Sequence, residues 1–366
     1  MGDIKANFFE NAGVIIPNRG IQSGPLSMRW IIFIAGSLAL AGAASLSAED
    51  VDTIPFEALA TQRILEQPNV RGDHEDWFFL VKELRHLGTG KFWEKPWDEV
   101  AVNKSDPLPY LVEFHNLLAE RGVQLVLAPV PTKAATYPGH LVEGRTAGSG
   151  PSQSAFLDLL KEAGLSVIDI EPGLRKFAEM DPKNPVFCRQ DAHLSPLGIE
   201  LLARSIAKHC RSFVEEGEAD YQISEATDLE ILGDQVAGSE WEGKIPREKN
   251  SIRYVSSSGV KGIESSPESP VLLLGDSHTL VFHSGESTGM HCKGGGLADH
   301  LSFLLKQPVD LIGVRGSGMV QARKQLFYHA TAHPDYWAGK KVVVWVFSIR
   351  EFTQSRDRFI PIPLDR

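Results

Sequence analysis

Two hydrophobic rhythms alternate along this chain. Short continuous apolar runs, closed by glycine, proline or a polar residue, lie between stretches whose apolar residues return every three or four positions. The runs predict strands buried on both faces, and the spaced stretches predict amphipathic helices. Strands are expected in VQLVLAPVP (123–131), SVIDI (166–170), VLLL (271–274), VDLIG (309–313) and KKVVVWVFSI (340–349). Helices are expected within Glu49–Gln67, after Asp106-Pro107, from Ser152 to Ala163 with Gly164 as its stop, and around Leu174–Met180. Two more carry apolar faces: one capped by Ser195 with Ile199, Leu202, Ala203 and Ile206, and one with Leu297, Leu301, Leu304 and Leu305. Trp77, Phe78 and Phe79 are expected to pack in the core. Strands alternating with helices make the fold class α/β, with a central, mostly parallel sheet. Residues 213–264, acidic and rich in glycine and serine, break the rhythm and predict an irregular excursion.

An open parallel sheet keeps its chemistry at the C-terminal ends of its strands. At the end of VLLL, Gly275 breaks the run and Asp276, Ser277 and His278 follow. A serine there needs a base, and QDAH supplies His193 with Asp191 two positions earlier. Both precede the helix that begins at Pro196, whose N-terminus disfavours an imidazolium, and a general base must be neutral. An aspartate holds such a ring in the working tautomer. The three residues predict a Ser-His-Asp hydrolase or acyltransferase. Other strand ends add Lys133 and Tyr137 in PVPTKAATYP, Arg315, Gly316 and Gly318 after VDLIG, and Arg350 after the last strand. Lys133 is a candidate for holding a substrate carboxylate or hydroxyl, or is a solvated loop lysine. Oxyanion donors are expected at the Ser277 amide and in a glycine loop, either Gly294–Gly296 or Gly316–Gly318.

Other chemistries fit less well. A lipase-type elbow needs glycine two places after the serine, where Thr279 stands. Asp191, His193, His278 and His283 are available ligands, but no spacing matches a zinc site, so neither metal nor cofactor is expected. The formal charge of −10 argues against a nucleic-acid partner. Met28 and Arg29 precede an apolar run ending in small residues, so residues 28–48 predict a secretory signal peptide and residues 1–27 a leader upstream of the true start. The alternative is an uncleaved membrane anchor at residues 30–48. Cys188, Cys210 and Cys292 leave a Cys188–Cys210 disulfide open.

The GDSH block at a strand end resembles the first block of the SGNH hydrolase superfamily, although the DxH motif precedes the serine. That order is similar to the alginate O-acetyltransferase AlgX/AlgJ family. DWFFLVKELRHL, LAPVPTKAATYP, FCRQDAHLSPLGIELLA and VVVWVFSIREF carry the resemblance further, so that it spans roughly Val70 to Phe352. Departures are Leu194, where the family commonly has tryptophan, and the GDSH form of the serine block. The resemblance implies a three-layer SGNH-like fold, with residues 49–366 as one acetyltransferase domain in the AlgJ-like arrangement without a carbohydrate-binding module. It implies Ser277 as nucleophile, His193 as base and Asp191 as its orienting partner. It also implies a polysaccharide acceptor, a membrane-bound protein that donates acetyl, and a periplasmic or extracellular location. A secreted carbohydrate esterase and a non-catalytic polysaccharide-binding or assembly protein are the alternatives.

Overall fold

The middle strands bury both of their faces, and this decides the layout. The computed structural model describes residues 54–66, 70–74, 76–146, 149–316 and 318–366. The expected leader, signal peptide and anchor lie outside the described residues. Among the described residues no helix is long and apolar enough to cross a membrane.

First come α1 (Phe56–Glu66), α2 (Val81–Gly88), α3 (Leu108–Ala119) and β1 (Gln124–Val130). Next are α4 (Ser154–Glu162), β2 (Ser166–Val167), α5 (Glu171–Met180) and α6 (Pro196–Cys210). The excursion holds β3 (Gln222–Ile223), β4 (Thr227–Ile231), β5 (Glu248–Ile252), β6 (Val255–Ser257) and β7 (Val260–Lys261). Last are β8 (Val271–Gly275), α7 (Leu297–Leu305), β9 (Asp310–Gly313), α8 (Met319–Ala332) and β10 (Val342–Ser348).

The five strands expected from the apolar runs form one sheet in the order β2–β1–β10–β8–β9, with every neighbouring pair parallel. Val130 pairs with Ser348, Val346 with Gly275 and Gly275 with Gly313, so these strands end on the same edge. Alternate residues enter two cores. Val126, Ala128, Leu273, Val344 and Val346 join Ile199, Leu202 and Ile206 of α6 and Leu297 and Leu301 of α7. Leu125, Leu127, Leu272, Leu274, Trp345 and Phe347 join Leu111 and Phe114 of α3 and Met319 and Leu326 of α8. Each such aliphatic side chain contributes about 1.5–3 kcal/mol by leaving water. The result is an α/β sheet between helical layers, and Trp77, Phe78 and Phe79 are buried as expected.

Local chemistry sets the element ends. Ser195 Oγ accepts from Gly198 N at 3.2 Å and starts α6 with Pro196 in its first position. Asp106 Oδ1 likewise accepts from Leu108 N at 2.8 Å. Gly164, with φ +88°, closes α4 as expected. SVIDI is strand only at Ser166 and Val167. Beyond them Asp169 accepts from Glu171 N at 3.1 Å and from Ser154 Oγ at 2.6 Å, and the chain turns away into α5. The loop expected at PVPTKAATYP is two helical turns, Lys133–Thr136 and Pro138–Leu141. The excursion is built of antiparallel pairs, β4 with β5 and β3–β6–β7.

Candidate active site

Ser277 sits where β8 leaves the sheet. An added Cβ on Gly275 would stand 2.2 Å from Val346 O, so only glycine lets the chain turn out past β10. Asp276 then anchors the turn. Its Oδ1 accepts from His278 N at 2.9 Å and faces His278 Nδ1 at 3.0 Å, and its Oδ2 accepts from Ser348 N at 2.8 Å. Burial alone would raise the Asp276 carboxyl, but His278 and Arg350 reverse this and hold it well below the usual range. Burial lowers His278, against the pull of the Asp276 carboxylate.

His193, the expected base, stands on a hairpin tip just before α6. Phe187 bridges Leu194, Cys188 N donates to His193 O at 3.1 Å, and Ser195 N donates to Val186 O at 3.0 Å. Groups from elsewhere hold the tip. Glu248 of β5 accepts from Arg189 N and Gln190 N, both at 2.8 Å. Lys133 Nζ donates to Arg189 O at 2.9 Å and to Asp191 O at 3.0 Å. Asp234 Oδ1 accepts from Ala192 N at 2.8 Å, and Asp191 Oδ2 accepts from Asp234 N at 2.9 Å. A backbone satisfied this fully has little freedom to move.

On that tip His193 Nδ1 lies 2.5 Å from Asp191 Oδ1, and His193 Nε2 lies 2.7 Å from Ser277 Oγ. In the neutral ring an ionised Asp191 makes Nδ1 the protonated nitrogen, which leaves Nε2 to accept from the serine hydroxyl. Burial would lower the imidazole, but the Asp191 carboxylate, with Asp234 and Asp276 beyond it, overrides this and lifts it to about 9. Asp191 moves the opposite way, well below the usual range: burial would raise it, and His193 with His291 pulls it down.

The remaining candidates divide. Lys133 is fully enclosed, and burial lowers it, so it is neither a substrate hook nor a solvated loop lysine but a brace inside the protein. Tyr137 is also buried; its hydroxyl accepts from Val186 N at 2.8 Å and supports the hairpin, so it too is withdrawn from the substrate-binding set. Arg350 lies 3.4 Å from Glu83 and is mostly enclosed. Arg315 is exposed on the turn after β9, where it donates to Thr288 O. Gly316, with φ +70°, shares that turn, and Gly318 begins α8 against Glu351, whose carboxylate leaves no room for a Cβ. This turn stands beside the serine block, because β9 is the neighbour of β8 and Val314 N donates to Gly275 O at 3.0 Å. In the other glycine loop, Gly295 N donates to Phe282 O and Gly296 N to Asp299 Oδ2, at 2.9 and 3.0 Å, so those amides are already engaged. Cys188, Cys210 and Cys292 are free thiols, and the alternative disulfide does not form. Asp191, His193 and Asp234 bring ligand atoms within 4.8 Å of one another. Among these, His193 is committed to Asp191 and Ser277, and Asp191 Oδ2 to Asp234 N and His291.

Residues 70–349 match the family model described as SGNH hydrolase-like domain, acetyltransferase AlgX. The chain belongs to this family. Over 145 residues it is 30% identical to the probable alginate O-acetylase AlgJ of Pseudomonas aeruginosa, covering 40% of this chain and 34% of that protein. Over 162 residues it is 25% identical to the protein of the same name from Pseudomonas syringae pv. tomato, covering 44% and 38%. The matches thus span little more than a third of these relatives' length. In fold it is similar to the O-acetyltransferase domain of Pseudomonas putida AlgJ, with a TM-score of 0.55 and 18% identity over 78% of this chain and 91% of that one.

Sequence patterns of this AlgX-family chain did not announce Glu248, Asp234 or His291. The first two lie in the excursion. One available signal was the polar residue at alternate positions of EKNSI, where Glu248 and Asn250 point inward and Lys249 and Ser251 outward. The other was the GD pair at Gly233-Asp234, since an added Cβ on Gly233 would stand 2.0 Å from Gln190 O.

Proposed function

We propose that this protein is an exported O-acetyltransferase that moves acetyl groups onto polysaccharide hydroxyls through an acetyl-Ser277 intermediate. The observation that carries the reading is the unbroken hydrogen-bonded line from Asp191 through His193 to Ser277 at the C-terminal edge of the sheet. Ser277 Oγ attacks the acetyl carbonyl while His193 Nε2 takes its proton, and the same proton leaves with the departing donor. A sugar hydroxyl then attacks the acetyl-serine, gives its proton to His193 and departs acetylated, and the proton returns to Ser277 Oγ. Asp191 keeps the ring oriented and stabilises the imidazolium at each step. The Ser277 amide, which has no acceptor among the described residues, is the first oxyanion donor in this scheme, and the turn at Gly316 and Gly318 is assigned the second.

The names of the relatives point to alginate as acceptor, and family membership supports acetyl transfer over hydrolysis. A polyuronate meets general repulsion from a chain of charge −10, so it needs a local cation, and we assign that role to exposed Arg315. The apolar segment after Met28 supports export, and a membrane-bound protein is proposed as acetyl donor. The test supplies purified protein with 4-nitrophenyl acetate and alginate oligosaccharides and follows acetylated product by mass spectrometry. Acetylated oligosaccharide that disappears with Ser277→Ala supports the proposal. Free acetate alone would make the protein an esterase, and no Ser277-dependent turnover would make it a binding protein.

A further inference from the structure

Asp191 is held by two imidazoles. Its Oδ1 faces His193, and its Oδ2 lies 3.0 Å from Nε2 of His291. The backbone at His291 is bent into this contact. Cys292 N donates to Met290 O at 2.8 Å, which closes a three-residue turn centred on His291, and His291 has φ +64°. A γ-turn with positive φ at its centre is the rare, strained form, and non-glycine residues keep such backbones where the surroundings demand it. Here they do. Phe282 N donates to Met290 O at 2.9 Å, Gly285 N donates to Cys292 O at 3.0 Å, and the His291 ring lies 5.4 Å from that of Phe282. A histidine that only filled space would not need this turn to bring Nε2 onto a carboxylate.

We infer that His291 is a positioning residue for the base. It fixes the far oxygen of Asp191, so that the near oxygen stays on His193. A carboxylate turning about its Cβ–Cγ bond would exchange its oxygens and release Nδ1; with Oδ2 held by both His291 Nε2 and Asp234 N, that turn is blocked. The role rests on the acetyl-transfer reading for its purpose, but the geometry is testable without it. The charged and titratable groups around the pair include Asp234, Lys133, Asp276, His278, Cys188 and Glu248, and substitution at position 291 changes none of these residues.

The test compares wild type with His291→Asn and His291→Gln. Asparagine tolerates the left-handed backbone but is too short to reach Asp191, whereas the glutamine amide nitrogen reaches about as far as Nε2. Proton and nitrogen NMR follow the His193 Nδ1–H signal and its titration. Without the His291 hydrogen bond Asp191 becomes more basic and holds the His193 proton more tightly. His291→Asn is expected to move the His193 midpoint to higher pH and His291→Gln to restore it. In turnover of 4-nitrophenyl acetate, kcat is expected to fall about tenfold to a hundredfold in His291→Asn with KM little changed, the size of one hydrogen bond to a charged group. An unchanged His193 signal and midpoint in His291→Asn overturns the inference. Absence of Ser277-dependent turnover in wild type would instead sink the acetyl-transfer reading, and the NMR comparison would still decide the part of His291.

Discussion

His193 Nε2 and Ser277 Oγ lie 2.7 Å apart although 84 positions separate them in the chain. The serine rides on the end of β8, and the histidine rides on a hairpin tip braced from β5 and from the turn after β1. Neither position depends on a flexible loop alone, so the pair is formed before any substrate arrives, the kind of preorganisation that acyl transfer uses.

The pair sets a pH dependence. As the proposed general base His193 would work only when neutral, and the Asp191 carboxylate, outweighing burial, lifts it to about 9. At neutral pH most of the free enzyme therefore holds an imidazolium. With 4-nitrophenyl acetate, kcat/KM is expected to climb from pH 7, pass half of its plateau near pH 9 and level off only above that. A profile already flat from pH 7 would show that His193 is not the group that titrates.

Lys133 lies between Glu83 and Glu248, with its Nζ on the carbonyls of Arg189 and Asp191. Lys133→Met keeps the length but removes the buried cation shared by Glu83 and Glu248, which keep only Arg350 and Arg189, and leaves the carbonyls of Arg189 and Asp191 without their donor. Losing one partner of a buried ionic set costs about 3–5 kcal/mol, so urea unfolding is expected to show a much lower midpoint. A midpoint within experimental error of wild type would mean that the brace is not ionic.

Gly233 tests the clasp between the excursion and the base. Its missing Cβ makes room for Gln190 O, and Asp234 beside it exchanges hydrogen bonds with the Asp191–Ala192 backbone and carboxylate. Gly233→Ala is expected to lower kcat more than tenfold and to cost about 1–3 kcal/mol by overpacking. Gly173, in α5, has open space around its Cβ position, and Gly173→Ala is expected to leave activity unchanged and stabilise by roughly 0.5–1 kcal/mol. Equal kinetics for the two variants would rule out a catalytic role for the clasp.

These contrasts show what a sequence can and cannot disclose here. A strand buried on both faces is written as a continuous apolar run, so β1, β8, β9 and β10 were legible, as was the Ser195-Pro196 start of α6 that fixes the DxH motif just before a helix. β2 was overestimated because Asp169 serves the start of α5 instead of the sheet. Lys133 was misjudged because lysine is seldom buried, and only the carbonyls and carboxylates brought by distant segments make its burial tolerable. Asp234, Glu248 and His291 reach the base from 42 to 100 positions away, and such contacts leave no periodic trace. His291 is hidden further, because its left-handed backbone would ordinarily be signalled by glycine or asparagine.

The most direct test of the account is covalent. Wild-type protein mixed rapidly with 4-nitrophenyl acetate, quenched in acid and digested, is expected to yield a peptide acetylated at Ser277. The same label should be absent from Ser277→Ala and strongly reduced in His193→Ala, and it should be discharged when glycan acceptor is added before the quench. Acetylated acceptor formed at the wild-type rate by Ser277→Ala would contradict the account at its centre.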